Sequence, residues 1–304
     1  MIFEVTILGS SSATPAYQRN PTSQVMNLHD KMFMIDCGEG TQMQLIRYKV
    51  RFHRINHIFI SHLHGDHYLG LMGLLSTMHL QGRTAEVHLY AHAALEEIIY
   101  LQLRISETQL RFPIVFHPLP EVGDVVLFED DDLSVETLPL EHRIPCKGFL
   151  FREKLRNRSI NTTAAKENDV PVSFYRNLKN GLDYTDASGK VIANALLTFE
   201  PRIPRSYAYC SDTIFAEHLI DSIKGVDLLY HESTFLNDLR ERAIETYHTT
   251  ARQAGMIAAR ANVKQLLLGH FSARYRDLEP FLNEARTEFE NTSLALEGEK
   301  FSVA

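Results

Sequence analysis

The feature that most constrains this chain is the run Ser61-His62-Leu63-His64-Gly65-Asp66-His67, directly after the apolar Ile58-Phe59-Ile60. Three imidazoles and one carboxylate fall within six residues. A fold that carries them must bring a strand to a tight turn and then open a helix, because Leu69, Met72, Leu75 and Met78 follow at helical spacing. In the extended part, side chains two apart point the same way, so His62 and His64 can grip one ion. Asp66 and His67 fall where the helix begins, displaced toward a second ion. Imidazole with carboxylate suits zinc or manganese. Two such ions make a nucleophile from water and clamp both oxygens of a phosphoryl displacement. Scattered surface histidines do not account for the run, since such a junction has no packing use for so many ionisable groups.

Four ligands from one loop do not complete two sites. The missing ones should lie just past strands, in polar turns. His142 follows the strand-like Val135 to Leu140, Asp212 follows Tyr207 to Cys210, and His270 follows Gln265 to Gly269. The reading that results gives His62, His64 and His142 to one ion, Asp66, His67 and His270 to the other, and Asp212 to both, all on one rim of a sheet. His231 and His248 admit two readings. Cap and packing roles suffice for both, with Thr249-Thr250 opening a helix. Alternatively Glu232 orients His248, which protonates a leaving oxygen. His29, His53, His57, His79, His88, His92, His117 and His218 lack this context and read as ordinary.

The 304 residues suffice for one large α/β domain or two small ones. Strand-like runs are expected at 3–8, 25–28, 32–35, 58–60, 87–90, 207–210, 228–230 and 265–268, with 125–128 and 133–138 as a β pair. Helices are expected over 39–48, 93–103 and 249–261, and near 214–220. Turns between early strands and helices between later ones indicate mixed sheets with helices outside. No apolar run approaches membrane-spanning length. The opening Met1-Ile2-Phe3-Glu4-Val5 reads as a strand without a basic leader, so a cytoplasmic protein is expected. Cys37, Cys146 and Cys210, odd in number and widely spaced, argue against a disulfide framework.

The formal net charge is −7, which by itself disfavours a nucleic-acid partner. Its distribution is uneven. From Arg143 to Arg205 the balance is +6, against −13 for the remainder. Arg143, Lys147, Arg152, Lys154, Arg156 and Arg158 fall within sixteen positions, with Glu153 the only acid among them. Such a strip is either a solvated face or a polyanion-binding arm. The segment 152–200 is polar, basic and interrupted by Asn180-Gly181 and Ser188-Gly189, an excursion from the core.

These residues resemble a family. Leu8-Gly9-Ser10-Ser11-Ser12-Ala13-Thr14-Pro15, Asp36-Cys37-Gly38-Glu39-Gly40-Thr41-Gln42, the histidine run with Leu71-Met72-Gly73-Leu74-Leu75, Cys210-Ser211-Asp212-Thr213, His231-Glu232-Ser233-Thr234, His248-Thr249-Thr250 and Gly269-His270-Phe271-Ser272-Ala273-Arg274-Tyr275 are similar to ribonuclease Z. That family holds tRNA 3′-processing endonucleases of the metallo-β-lactamase fold. The resemblance implies a single αββα sandwich over 1–304 with a protruding exosite arm inserted at 152–200. It implies two zinc ions, with manganese an alternative, and Asp66 as proton acceptor. It also implies precursor tRNA as substrate, contacted by Arg152, Lys154, Arg156, Arg158 and Arg274, and a homodimer. The histidine run alone marks only the superfamily, which leaves a small-molecule phosphodiesterase or lactonase as the rival. The chain departs from the family at Val170 to Leu178, where a Gly-Pro-rich stretch is usual.

Overall fold

The computed structural model of the chain describes residues 2–121 and 123–304. Two seven-stranded sheets organise it. The first runs in the order Lys300–Ser302, Phe3–Gly9, Ser23–Leu28, Lys31–Cys37, Ile55–Phe59, Val87–Ala91, Ile114–Pro118. Its first four strands are antiparallel and the rest add in parallel. The second runs Thr292–Leu294, Gln265–Gly269, Leu228–Glu232, Ser206–Cys210, Lys147–Glu153, Leu133–Pro139, Val126–Glu129. The pairings among its first four strands are parallel.

Period-two alternation builds the layers. Val87, Leu89 and Ala91 join a buried cluster with Leu71, Leu74, Leu75 and Met78 of the helix Leu71–Leu80 and Leu95 and Ile99 of Ala94–Ile105. Ala208, Cys210, Leu266 and Leu268 of the second sheet do the same with Ala254, Ile257 and Ala258 of Ala251–Arg260 and Phe281 of Glu279–Arg286. The opposite faces meet each other. Phe59 lies 5.3 Å from Phe149 and 5.6 Å from Phe151, ring centre to ring centre. Each such fully buried side chain contributes about 1.5–3 kcal/mol. The result is helices, sheet, sheet, helices: the expected αββα sandwich.

Local chemistry sets several boundaries. Gly40, at φ +84°, caps the first helix, which starts at Thr41 rather than at Glu39. Thr250 and Gln253 form a capping box, so the later helix starts at Ala251. The helix expected near 214–220 is reduced to Leu219–Ser222. Ile214 N bonds instead to Glu141 O at 3.0 Å, and Phe215 packs on the outer core, so tertiary contacts override the local period. The strands Ile114–Pro118, Lys147–Glu153, Thr292–Leu294 and Lys300–Ser302 were not among those expected. Among the described residues no helix is long and apolar enough to cross a membrane. All three cysteines are buried free thiols.

Residues 129–134 and 152–204 form a second compact unit. It has its own small core of Ala165, Val170, Leu178, Ile192 and Leu197. Short helices Thr162–Glu167, Tyr175–Lys179 and Asn194–Leu197 and two two-residue strand pairs enclose that core. Its basic strip is not bare. Lys154 pairs with Glu129 at 2.8 Å, Arg156 with Asp132 at 2.6 Å, and Arg158 with Glu200 at 2.5 Å. These acids are distant in sequence, which is why the strip read as unneutralised.

Candidate metal centre

Strand ends deliver the functional side chains. The loop 61–67 follows Ile55–Phe59 of the first sheet; His142, Asp212 and His270 follow Leu133–Pro139, Ser206–Cys210 and Gln265–Gly269 of the second. The expectation of one rim on one sheet is therefore corrected: the cluster spans the facing rims of both. Gly38 and Gly70 allow the loop to close. A Cβ on Gly70 would stand 2.1 Å from Gly38 O, and one on Gly38 would stand 2.4 Å from Asp66 O. No larger residue fits either place.

Three overlapping groups of ligand atoms result, the third being Asp212, His248 and His270. In the first, His64 Nδ1 lies 3.0 Å from His62 Nε2 and 3.1 Å from His142 Nε2. Asp212 Oδ2 stands 3.6 Å from His62 Nε2 and 3.8 Å from His142 Nε2. In the second, Asp66 Oδ2 lies 3.5 Å from His67 Nε2 and 3.3 Å from His270 Nε2. Asp212 Oδ1 is 3.4 Å and 3.2 Å from the same two nitrogens. One carboxylate thus turns one oxygen to each of the first two groups. His67 Nε2 is fully buried without a hydrogen-bond partner, a state that burial penalises unless a cation is its partner. Nitrogen and carboxylate donors at this spacing fit divalent cations. Burial works against the Asp212 carboxylate's charge, yet His270, His67 and His62 hold its pKa well below the usual range.

Asp36, to which the sequence reading gave no role, anchors this arrangement. Its Oδ2 lies 2.7 Å from His67 Nδ1 and accepts from Tyr209 OH at 2.6 Å, while Ser61 N donates to Oδ1 at 2.7 Å. This fixes the face His67 turns to the cluster. Asp36 at φ +55° and His270 at φ +60° both sit in the left-handed region, at a cost of about 1–3 kcal/mol each. The only sequence signal for Asp36 was its place in the Asp-Cys-Gly-Glu-Gly-Thr motif.

Glu232 and His248 come together as the second of the two readings required. His248 Nδ1 donates to Glu232 Oε1 at 2.8 Å. Thr213 N donates to that same oxygen, and Thr234 N and Oγ1 to the other, at 2.9 and 2.8 Å. Burial alone would lower the His248 imidazole; Glu232 overcomes this and raises it to about 9. Thr250, not His248, is the cap of the following helix. His231 is fully buried, its Nδ1 2.7 Å from Glu232 O, and it lies in none of the ligand groups. A cleft of about 330 Å³ opens over the cluster, lined by Asp66, Asp212, His248 and His270 with Ser12 and Arg143. Ala13 N donates to Asp66 Oδ2 at 2.7 Å, which ties the loop after the first strand to the centre. Arg274 does not reach the cluster; its guanidinium lies over Phe235 at 5.3 Å.

Residues 3–166 match the family model described as Anti-Pycsar protein Apyc1. Ribonuclease Z of Bacteroides fragilis (strain YCH46) is 52% identical over 295 residues, covering 97% of each chain. Ribonuclease Z of Cytophaga hutchinsonii is 50% identical over 305 residues, covering 100% of this chain and 97% of its own. Among solved structures, human tRNase Z, short form, superposes with a TM-score of 0.72 at 26% identity over 99% of both chains. The metallo-β-lactamase fold protein YhfI of Bacillus subtilis gives 0.69 at 18% identity, a likeness of fold, covering 99% of this chain and 100% of its own. By its first half the chain belongs to the family that the Apyc1 model describes, and over its full length it belongs to the ribonuclease Z family of the metallo-β-lactamase fold.

Proposed function

We propose that this chain is a metal-dependent endoribonuclease that removes the 3′ trailer from precursor tRNA, leaving a 3′-hydroxyl on the tRNA and a 5′-phosphate on the trailer. The observation that carries the reading is Asp212, whose two oxygens face two separate ligand groups beneath an open cleft. His62, His64 and His142 would hold one zinc ion, and Asp66, His67 and His270 the other, with Asp212 shared; manganese suits the same donors. When bound, two such ions supply positive charge for the scissile phosphate and lower the pKa of water. Asp66 takes the proton of the attacking water at Oδ1, the oxygen not engaged by Ala13. His248, held at Nδ1 by Glu232, gives a proton from Nε2 to the departing 3′ oxygen.

The second unit serves as the tRNA-binding arm, whose core is the inserted 152–200. The ion pairs of Lys154, Arg156 and Arg158 are half-exposed; pairs open to solvent are worth about 0–1 kcal/mol, so phosphates can displace their acids. Arg152 belongs to the same strip, and Arg274 contacts RNA nearer the cleft. We also propose a cytoplasmic homodimer, supported by Met43, Ile46 and Leu69, which are 68%, 58% and 59% exposed and so not core residues. Light scattering on the purified protein tests that part: a monomer would refute it.

Incubation of the zinc-loaded protein with a precursor tRNA, with the product ends mapped by sequencing, tests the main reading. Cleavage next to the discriminator base, abolished by a chelator and by Asp66→Ala, is expected. Deleting 152–200 addresses the small-molecule rival: a tRNA enzyme loses precursor cleavage yet still splits a chromogenic phosphodiester.

A further inference from the structure

A second cavity of about 550 Å³ adjoins the metal centre, within the roughly 300–1,000 Å³ typical of ligand sites. Arg143 lines both it and the catalytic cleft, and the ligand His142 forms part of its wall. Leu119, Pro139, Leu140 and Ile144 supply an apolar lining. Tyr247 closes one side. This residue ends the helix Arg240–Thr246 at φ +59°, a position where glycine is favoured. Tyr247 is 42% exposed. Its carbonyl accepts from His142 Nδ1 at 3.0 Å, and its ring stands edge-on to His142 at 6.5 Å.

We propose that this cavity is the subsite for the base of the nucleotide whose 3′ oxygen departs, with Tyr247 as its stacking wall. The inference rests on the tRNA reading. Tyr247 is one peptide bond from His248, which serves the departing oxygen. The His142 and His248 rings lie 5.3 Å apart, so a nucleotide with that oxygen at His248 lies beside the wall that His142 and Tyr247 give the cavity. Single-stranded bases are gripped by stacking on aromatic faces. Glu121 and Glu141 line the same cavity with Lys147 and Arg143, a lining without net charge, and Arg143 stands at the junction with the catalytic cleft.

The test places 2-aminopurine at the last tRNA nucleotide of a precursor, or at the first trailer nucleotide, and follows fluorescence on mixing with the metal-loaded enzyme. Quenching of the first probe, before cleavage, is expected. Tyr247→Ala and the cavity-filling Ile144→Trp should abolish it, and Tyr247→Phe should retain it. Tyr247→Ala should lower kcat/KM on precursor about tenfold, the worth of one base stack. Equal quenching in Tyr247→Ala, or quenching only from the trailer probe, overturns the subsite. So does a parallel fall on a small chromogenic phosphodiester, which would trace the effect to His142. Failure of the wild type to cleave precursor overturns the tRNA reading and the subsite with it; cleavage without the quench overturns the subsite alone.

Discussion

Replacing Glu232 with glutamine separates the charge of the His248 partner from its shape. The imidazole stands at about 9 instead of the ordinary 6.5, roughly 3 kcal/mol in favour of its charged form. Burial, the largest influence on it, acts in the opposite direction, so without the carboxylate its pKa falls, with Asp212 and Asp66 left to raise it. At pH 7.5 the wild-type residue is nearly all protonated, and the variant's is protonated to a smaller extent. The sign for stability follows: the pair stabilises fully below 6.5 and loses that contribution as pH rises through about 9. For catalysis, kcat/KM on precursor in Glu232→Gln should fall about tenfold or more at pH 7.5 and recover toward pH 6, its alkaline limb displaced downward. The substitution also turns an amide N–H toward a donor, since both carboxylate oxygens accept from main-chain N–H groups of Thr213 and Thr234. That costs about 1–3 kcal/mol of stability, measurable by thermal melting apart from the rate. An alkaline limb left where the wild type has it would refute the argument.

Asp36→Asn should weaken metal affinity about 10–100-fold by freeing His67 to turn, read by metal analysis after dialysis against graded chelator; unchanged metal content would count against the anchoring role. Replacing Lys154, Arg156 and Arg158 together by alanine should shift the melting temperature little, because pairs open to solvent on one side contribute about 0–1 kcal/mol each, yet flatten the salt dependence of precursor binding; a steep salt slope retained in filter binding would relieve the strip of that role. Thr250→Ala should cost about 1 kcal/mol through loss of the capping box, with metal content unaltered, as denaturant unfolding would report.

The centre was legible because chemistry and local geometry coincide there. His62, His64, Asp66 and His67 are adjacent in sequence, and His142, Asp212 and His270 each fall within three residues of an apolar run that does form a strand. Asp36 was not legible. A single carboxylate at a strand end reads as a turn residue, and only the three-dimensional meeting of Ser61, His67 and Tyr209 gives it a role. Lys147–Glu153 escaped notice because its charged ends, Lys147, Arg152 and Glu153, merged with the basic strip, although its centre is wholly buried. Local sequence could not reveal the pairing of that strip either, since Glu129, Asp132 and Glu200 approach it only through folding.

The distance along the chain between partners in the second ligand group carries one more consequence. Asp66 and His270 are 204 positions apart yet within 3.3 Å. Bringing the ends of so long a loop together costs about 5 kcal/mol of chain entropy, and an ion held between them acts as a removable staple across the two sheets. A growing chain therefore cannot assemble this ligand set until His270 has emerged and docked against Asp66.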